Sequence, residues 1–175
     1  MEYKNILVPI DGGQPSRNAL EHACLIAKAT KAQLVLVHVL LSDTPVGALA
    51  RLARENGFFE QVQEGLKSAS TISTTPIVAG APVVFEVVDT EFLKEFAKLL
   101  LQRSTEAAKA LGVVDVETQV LDGVPQNEIL EFAKDNKVDL IAMGSRGTSD
   151  IKSLFLGSVS HKLIENAECP CLVVK

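Results

Sequence analysis

The sequence predicts a single doubly wound α/β domain built on a five-stranded parallel sheet. Three observations carry that expectation. Short, nearly continuous apolar runs alternate with longer segments whose apolar residues recur at helical spacing. The first run meets Asp11-Gly12-Gly13 and the fourth meets Gly144-Ser145-Arg146-Gly147, so two distant turns carry residue types suited to an anion or nucleotide. The 175 residues, 47% hydrophobic and 22% charged, suffice for one domain with a sizeable core.

Asn5 to Ile10 reads as the first strand, with no alternation because both faces of a parallel sheet are covered. Pro15 sits in the first turn of the helix that follows, where a missing N–H costs nothing. Ala19, Leu20, Ala23, Cys24 and Ala27 form its buried stripe. Gln33 to Val39 is the second strand, which completes a right-handed βαβ unit. Ala48 to Leu66 reads as one broken helix or two short ones, with apolar Leu49, Leu52, Ala53, Phe59, Val62 and Leu66 and a break at Gly57. Ser68 to Pro82, rich in Ser, Thr, Pro, Ala and Gly, reads as loop, and Val83 to Val88 as a short strand or extended packed segment. The stretch from about 42 to 90 is therefore expected to be an insertion within one domain spanning 1–175. Glu91 to Leu111 is a helix with Gly112 as its C-cap. Val116 to Leu121 is the third sheet strand, Gly123-Val124-Pro125 opens a helix, Val138 to Met143 is the fourth strand, Ser158 to Ala167 the last helix, and Cys171 to Val174 the fifth strand.

Composition removes several functions. A net charge of −5 argues against a general nucleic-acid or membrane-surface partner. No apolar run approaches the ~20 residues of a membrane span, and the N-terminal run is too short for a signal peptide, so a cytoplasmic location is the default expectation. Cys24 falls on a buried helix stripe, and Cys169-Pro170-Cys171 lacks companion ligands for zinc. No metal site and no catalytic residue is assigned.

In open α/β sheets, ligands bind outside the carboxyl ends of the strands where the winding reverses. If the first and fourth strands are neighbours, Asp11 and Gly144 open on one crevice. Gly144, Gly147 and Gly157 let backbone N–H groups approach an anion, and the segment after Gly157 presents a helix N-terminus to it. On these grounds Gly144→Val is expected to abolish binding without unfolding the chain. Lys152 and Lys162 either neutralise phosphate or face water, and His38 reads as a satisfied core or rim residue.

The chain resembles the universal stress proteins of the nucleotide-binding subgroup. Gly144, two residues, Gly147, nine residues, Gly157 and Ser158 reproduce that family's glycine spacing in register. Ile6 to Gly12, Leu34 to Val39, Gly123-Val124-Pro125 and Pro170 to Val174 fit as well. One departure is Gly13, where the family usually has Ser or Thr; the exchange removes a helix N-cap hydroxyl. The long middle segment is the other.

The resemblance implies strand order 3-2-1-4-5. It implies ATP, or AMP or ADP, as ligand, with Mg²⁺ a candidate companion. Pro9, Ile10, Asp11 and Val39 would line the adenine and ribose side, with Met143 and Gly144 flanking the nucleotide. Gly144, Ser145, Arg146 and Gly147 would wrap ribose and phosphates. Gly157, Ser158, Val159 and Ser160 would bind phosphates. It also implies a homodimer through the fifth strand, Pro170 to Val174. The expected function is a stress-response module that signals nucleotide occupancy through dimer or partner contacts. The competing expectation is a slow ATPase or autophosphorylating enzyme. The absence of Gly-x-x-x-x-Gly-Lys-[Ser/Thr] and of an acidic two-metal cluster favours binding.

Overall fold

The structure is a computed structural model and describes residues 3–40, 42, 44–68, 70–78, 81–147 and 156–175. Its central sheet has the order β5-β2-β1-β6-β7, with β1 at Asn5–Pro9, β2 at Gln33–Val39, β5 at Val116–Leu121, β6 at Leu140–Gly144 and β7 at Cys171–Val174. All four pairings in it are parallel, so the five sheet strands run in the order 3-2-1-4-5 that the resemblance implies.

Successive strand residues face opposite sides of this sheet and enter two cores. Ile6, Val8, Leu34, Leu36 and Ala142 join α1 (Gln14–Thr30) and α4 (Thr90–Ala110) on one side. Leu7, Val35, Val37, Ile141 and Met143 meet α5 (Pro125–Asp135) and α6 (Ser158–Asn166) on the other. With both faces covered, the strands need no polar alternation.

The pairing lengths open a crevice in the sheet. β1 pairs with β2 as far as Pro9–Val37, and β6 with β7 as far as Gly144–Val174. β1 pairs with β6 only at Ile6–Leu140 and Leu7–Ile141. The two central strands therefore part toward their carboxyl ends.

The insertion contains two helices, α2 (Val46–Glu55) and α3 (Phe59–Ser68), separated at Gly57, whose φ is +73°. Their buried residues join the α1 and α4 side. Phe58, outside the expected stripe, is more deeply buried than Phe59 and stacks edge-on against Phe96 with ring centroids 5.0 Å apart. Ser68 to Pro82 is not a plain loop. Residues 70–78 form β3, antiparallel to β4 at residues 81–88 in a separate two-stranded ribbon. The Ser/Thr-rich composition that suggested a loop includes Thr71, Ile72, Thr74, Thr75, Ile77 and Val78, all β-branched and suited to a strand. The register shifts between Thr75 and Val78, around Pro76, where a proline is tolerated.

Candidate functional site

A cavity of about 240 Å³ lies where β1 and β6 separate. Pro9, Ile10 and Asp11 enter from the end of β1, and His38 and Val39 from the end of β2. Met143 and Gly144 close β6, and Arg146 and Gly147 follow in the adjoining loop. Gly157, Ser158, Val159, Ser160 and Leu163 come from the start of α6, Ser16 from α1, and Pro125 and Ile129 from α5. Thus twelve of the thirteen residues named from the sequence meet on one cavity, although the chain separates them by up to 151 positions (160 − 9). None of the described residues of the insertion reaches that wall.

Ser145 is the exception. It is buried, its N–H donates to the Val174 carbonyl (2.6 Å), and its own carbonyl accepts from the Gly157 N–H (2.8 Å). It braces the two glycine turns against β7 rather than lining the cavity. Lys162 pairs with Glu165 at 3.0 Å on the exposed side of α6. Lys152 lies outside the described residues.

The turn after β1 holds Asp11 in a fixed orientation. Its Oδ1 accepts from the Gly13 N–H at 2.8 Å, so Asp11 both stabilises the turn and contributes to the wall. A Cβ at Gly147 would stand 3.1 Å from Asp11 Oδ2, so the β6 loop passes close to the carboxylate only because residue 147 is glycine. Gly13 is the α1 N-cap and supplies no side-chain bond there. Ser16 Oγ donates to the Gly13 carbonyl (3.0 Å) and helps to close that turn.

Gly144 answers to a different constraint from the one expected. A Cβ there would meet Pro15 C and Cβ at 2.8 Å and Ser16 N at 2.9 Å. Its missing side chain makes room for the first turn of α1. The expectation that Gly144→Val leaves the fold intact is therefore corrected, because the added atoms strike helix backbone.

The start of α6 offers donors. Gly157 is the N-cap of α6 and makes no side-chain capping bond. The first N–H groups of a helix lack intrahelical partners and carry partial positive charge, which suits an anion. Ser160 Oγ is committed to the Gly144 carbonyl (2.8 Å), tying α6 to β6. Arg146 at the exposed mouth adds a full positive charge.

Five lining residues were not assigned to the site from sequence: Ser16, His38, Pro125, Ile129 and Leu163. His38 had a usable signal, its place beside Val39 at the carboxyl end of a strand. Its Nδ1 lies 2.6 Å from the Ile10 carbonyl, and since a carbonyl only accepts, Nδ1 carries the proton. Burial pushes the imidazole below its ordinary 6.5, against smaller opposing effects of the Ile10 bond and the Asp11 charge. The neutral ring ties the ends of β1 and β2 together.

A parallel sheet in this order with a glycine-walled cavity where its winding reverses defines an open doubly wound α/β domain, a class in which ligands bind at that crevice. The model of the universal stress protein family matches residues 2–175, and the chain belongs to that family. It is 34% identical over 173 residues to universal stress protein MJ0531 of Methanocaldococcus jannaschii, covering 99% of this chain and 82% of that one. It is 35% identical over 173 residues to universal stress protein YxiE of Bacillus subtilis, covering 99% of each. Universal stress protein UspA from Lactobacillus plantarum shares the fold with a TM-score of 0.68 at 21% identity, over 100% of this chain and 99% of that one. A universal stress protein solved in complex with cAMP matches with a TM-score of 0.60 at 22% identity, over 99% and 98% of the two chains. The Archaeoglobus fulgidus protein solved in complex with dAMP matches with a TM-score of 0.59 at 18% identity, over 100% of both. Among the described residues, no helix is long and apolar enough to cross a membrane.

Proposed function

We propose that this chain binds an adenine nucleotide in the cavity between β1 and β6 and acts in a stress response by signalling whether that site is filled. One observation carries the reading: a carboxylate at the end of β1 and the open N-terminus of α6 line the same cavity. Asp11 suits the hydroxyls of a ribose or an amino group, whereas the α6 N-terminus, Ser158 and Arg146 suit phosphate. The apolar side chains of Ile10, Val39, Met143, Ile129 and Leu163 provide a surface for the base. The cavity is slightly smaller than the ~300–1,000 Å³ usual for small-ligand clefts, which suits a base and sugar inside with phosphates at the mouth. The cAMP and dAMP complexes of the two structural neighbours support an adenine ligand.

ATP, with Mg²⁺ completed by phosphate oxygens and water around Asp11, is the nucleotide we favour. Asp11 is the one carboxylate among the described lining residues, which favours occupancy over rapid turnover. We further assign the homodimer interface to β7, an edge strand whose Cys171, Leu172 and Val173 are half-buried, and a cytoplasmic setting, which suits three free cysteines. The test is acid extraction of freshly purified protein followed by chromatography, with calorimetric titration of ATP, ADP and AMP. Co-purified adenine nucleotide or saturable binding is expected. No binding of any of the three at millimolar concentration would overturn the reading. ADP accumulating from added ATP would move the protein to the slow ATPase class.

A further inference from the structure

The insertion supplies none of the described cavity wall, yet it reaches the site from behind. Asn56 follows α2 directly. Its Nδ2 donates to the Leu52 carbonyl at 2.8 Å, closing the helix end, and to the Gly12 carbonyl at 3.0 Å. Arg17 Nη1, from α1, donates to the same Gly12 carbonyl at 2.6 Å and to Asn56 Oδ1 at 3.3 Å. Both lone pairs of the Gly12 oxygen are thus engaged.

That oxygen shares a planar peptide unit with the Gly13 N–H. Fixing one end of the unit fixes the direction of the other. The Gly13 N–H donates to Asp11 Oδ1 at 2.8 Å, and Asp11 lines the cavity with Oδ2 directed toward Gly147. A guanidinium on the carbonyl also polarises the peptide and strengthens its N–H as a donor. Gly12 has a φ of +84°, and a Cβ there would come within 3.3 Å of Asn56 Nδ2 and Leu100 Cδ1, so the unit has little space in which to turn.

We propose that Asn56 and Arg17 are positioning residues of the ligand site: by gripping the Gly12–Gly13 peptide they aim the Asp11 carboxylate at the bound ligand. The insertion thereby becomes part of the site's support, and a ligand that pulls on Asp11 also loads the junction between α2 and α3. The affinity consequences rest on the adenine-nucleotide reading above, whereas the clamp on the peptide does not.

The experiment is calorimetric titration of ATP and AMP into wild type, Asn56→Ala and Arg17→Met, each repeated in an Asp11→Ala background. Each single substitution is expected to weaken binding about ten-fold, the scale of one lost hydrogen bond. In the Asp11→Ala background the further loss should be less than about two-fold, because no side chain remains there to be aimed. Equal losses in both backgrounds would overturn the proposal, since a general structural defect does not depend on Asp11. Arg17→Lys, which keeps a donor, should bind more tightly than Arg17→Met, and equal affinities would also count against it. Arg17→Met leaves the Asn56 cap on α2 in place and carries the test where Asn56→Ala does not fold. Exchange of the Gly13 amide, followed by NMR without ligand, separates the clamp from the nucleotide reading. If wild type binds no adenine nucleotide, the functional reading falls, and this exchange rate decides the clamp alone. Acceleration of at least about ten-fold in Arg17→Met supports it, and an unchanged rate overturns it.

Discussion

Exchanging Gly144 for alanine is expected to unsettle the fold before it touches a ligand. The new methyl would lie 2.8 Å from Pro15 C and Cβ and 2.9 Å from Ser16 N, where ordinary contact begins at 3.4 Å. The first turn of α1 must therefore retreat by 0.6 Å (3.4 − 2.8). Two of the three atoms are backbone, so no rotamer change relieves the clash. Overpacking of this kind costs about 1–3 kcal/mol, and a value near ~2 kcal/mol is expected here. For a domain of this size that lowers Tm by about 4–8 °C. Gly147→Ala is the matched comparison. Its methyl would meet Asp11 Oδ2 at 3.1 Å, a side-chain atom held by one bond to Gly13 rather than helix backbone, so its stability cost should stay below about 1 kcal/mol. The displaced carboxylate should instead weaken nucleotide binding. Urea unfolding and thermal scans measure the first effect, and calorimetry with ATP the second. The reasoning is refuted if Gly144→Ala stays within about 0.5 kcal/mol of wild type, or if Gly147→Ala is the more destabilising change.

Three further outcomes are expected. The unfolded chain binds more protons than the native one between the lowered pKa of buried His38 and its ordinary 6.5, so stability should fall as pH drops below that value, by at most about 1.4 kcal/mol per pH unit. His38→Asn, whose Nδ2 can keep the bond to Ile10, should flatten this dependence, and parallel stability curves for the two proteins would contradict it. Phe96→Ala removes the edge-on partner of Phe58 from the core under the insertion and should cost about 3–5 kcal/mol by denaturant titration, with a loss under about 1 kcal/mol counting against that packing. Val173→Asp places a charge on the half-buried edge strand β7 and should yield monomers in light scattering, whereas an unaltered dimer would remove β7 as the interface.

Much of the fold was legible because its signals are local. Apolar runs, helical spacing and the turn at Gly57 each occupy a few neighbouring residues, and the structure returns the strands, helices and break they indicate. The errors fall where pairing or phase decides. Residues 70–78 become a strand because residues 81–88 lie beside them in register, a choice that Ser/Thr-rich composition leaves open. Phe58 rather than Phe59 takes the deepest position because the left-handed turn at Gly57 resets the direction of the chain before α3 begins. The glycines show the same division. Their spacing marked the site, but Gly144 serves the packing of α1, Gly147 admits the Asp11 carboxylate, and Gly157 donates to the buried Ser145 carbonyl.

The sequence by itself determined the alternation of strands and helices, the insertion, and the residue types at the two turns, because periodicity and turn chemistry act over a few residues. Tertiary structure alone decided that β1 and β6 part beyond Leu7 and Ile141, and that His38, Ser16, Pro125, Ile129 and Leu163 complete the cavity. It also decided that the insertion lies behind Asp11, with Asn56 holding the Gly12 carbonyl from 44 positions away. Strand separation, the choice of buried face and a shared carbonyl all depend on which distant segments pack together, and the spacing of residues along one chain does not encode that contact.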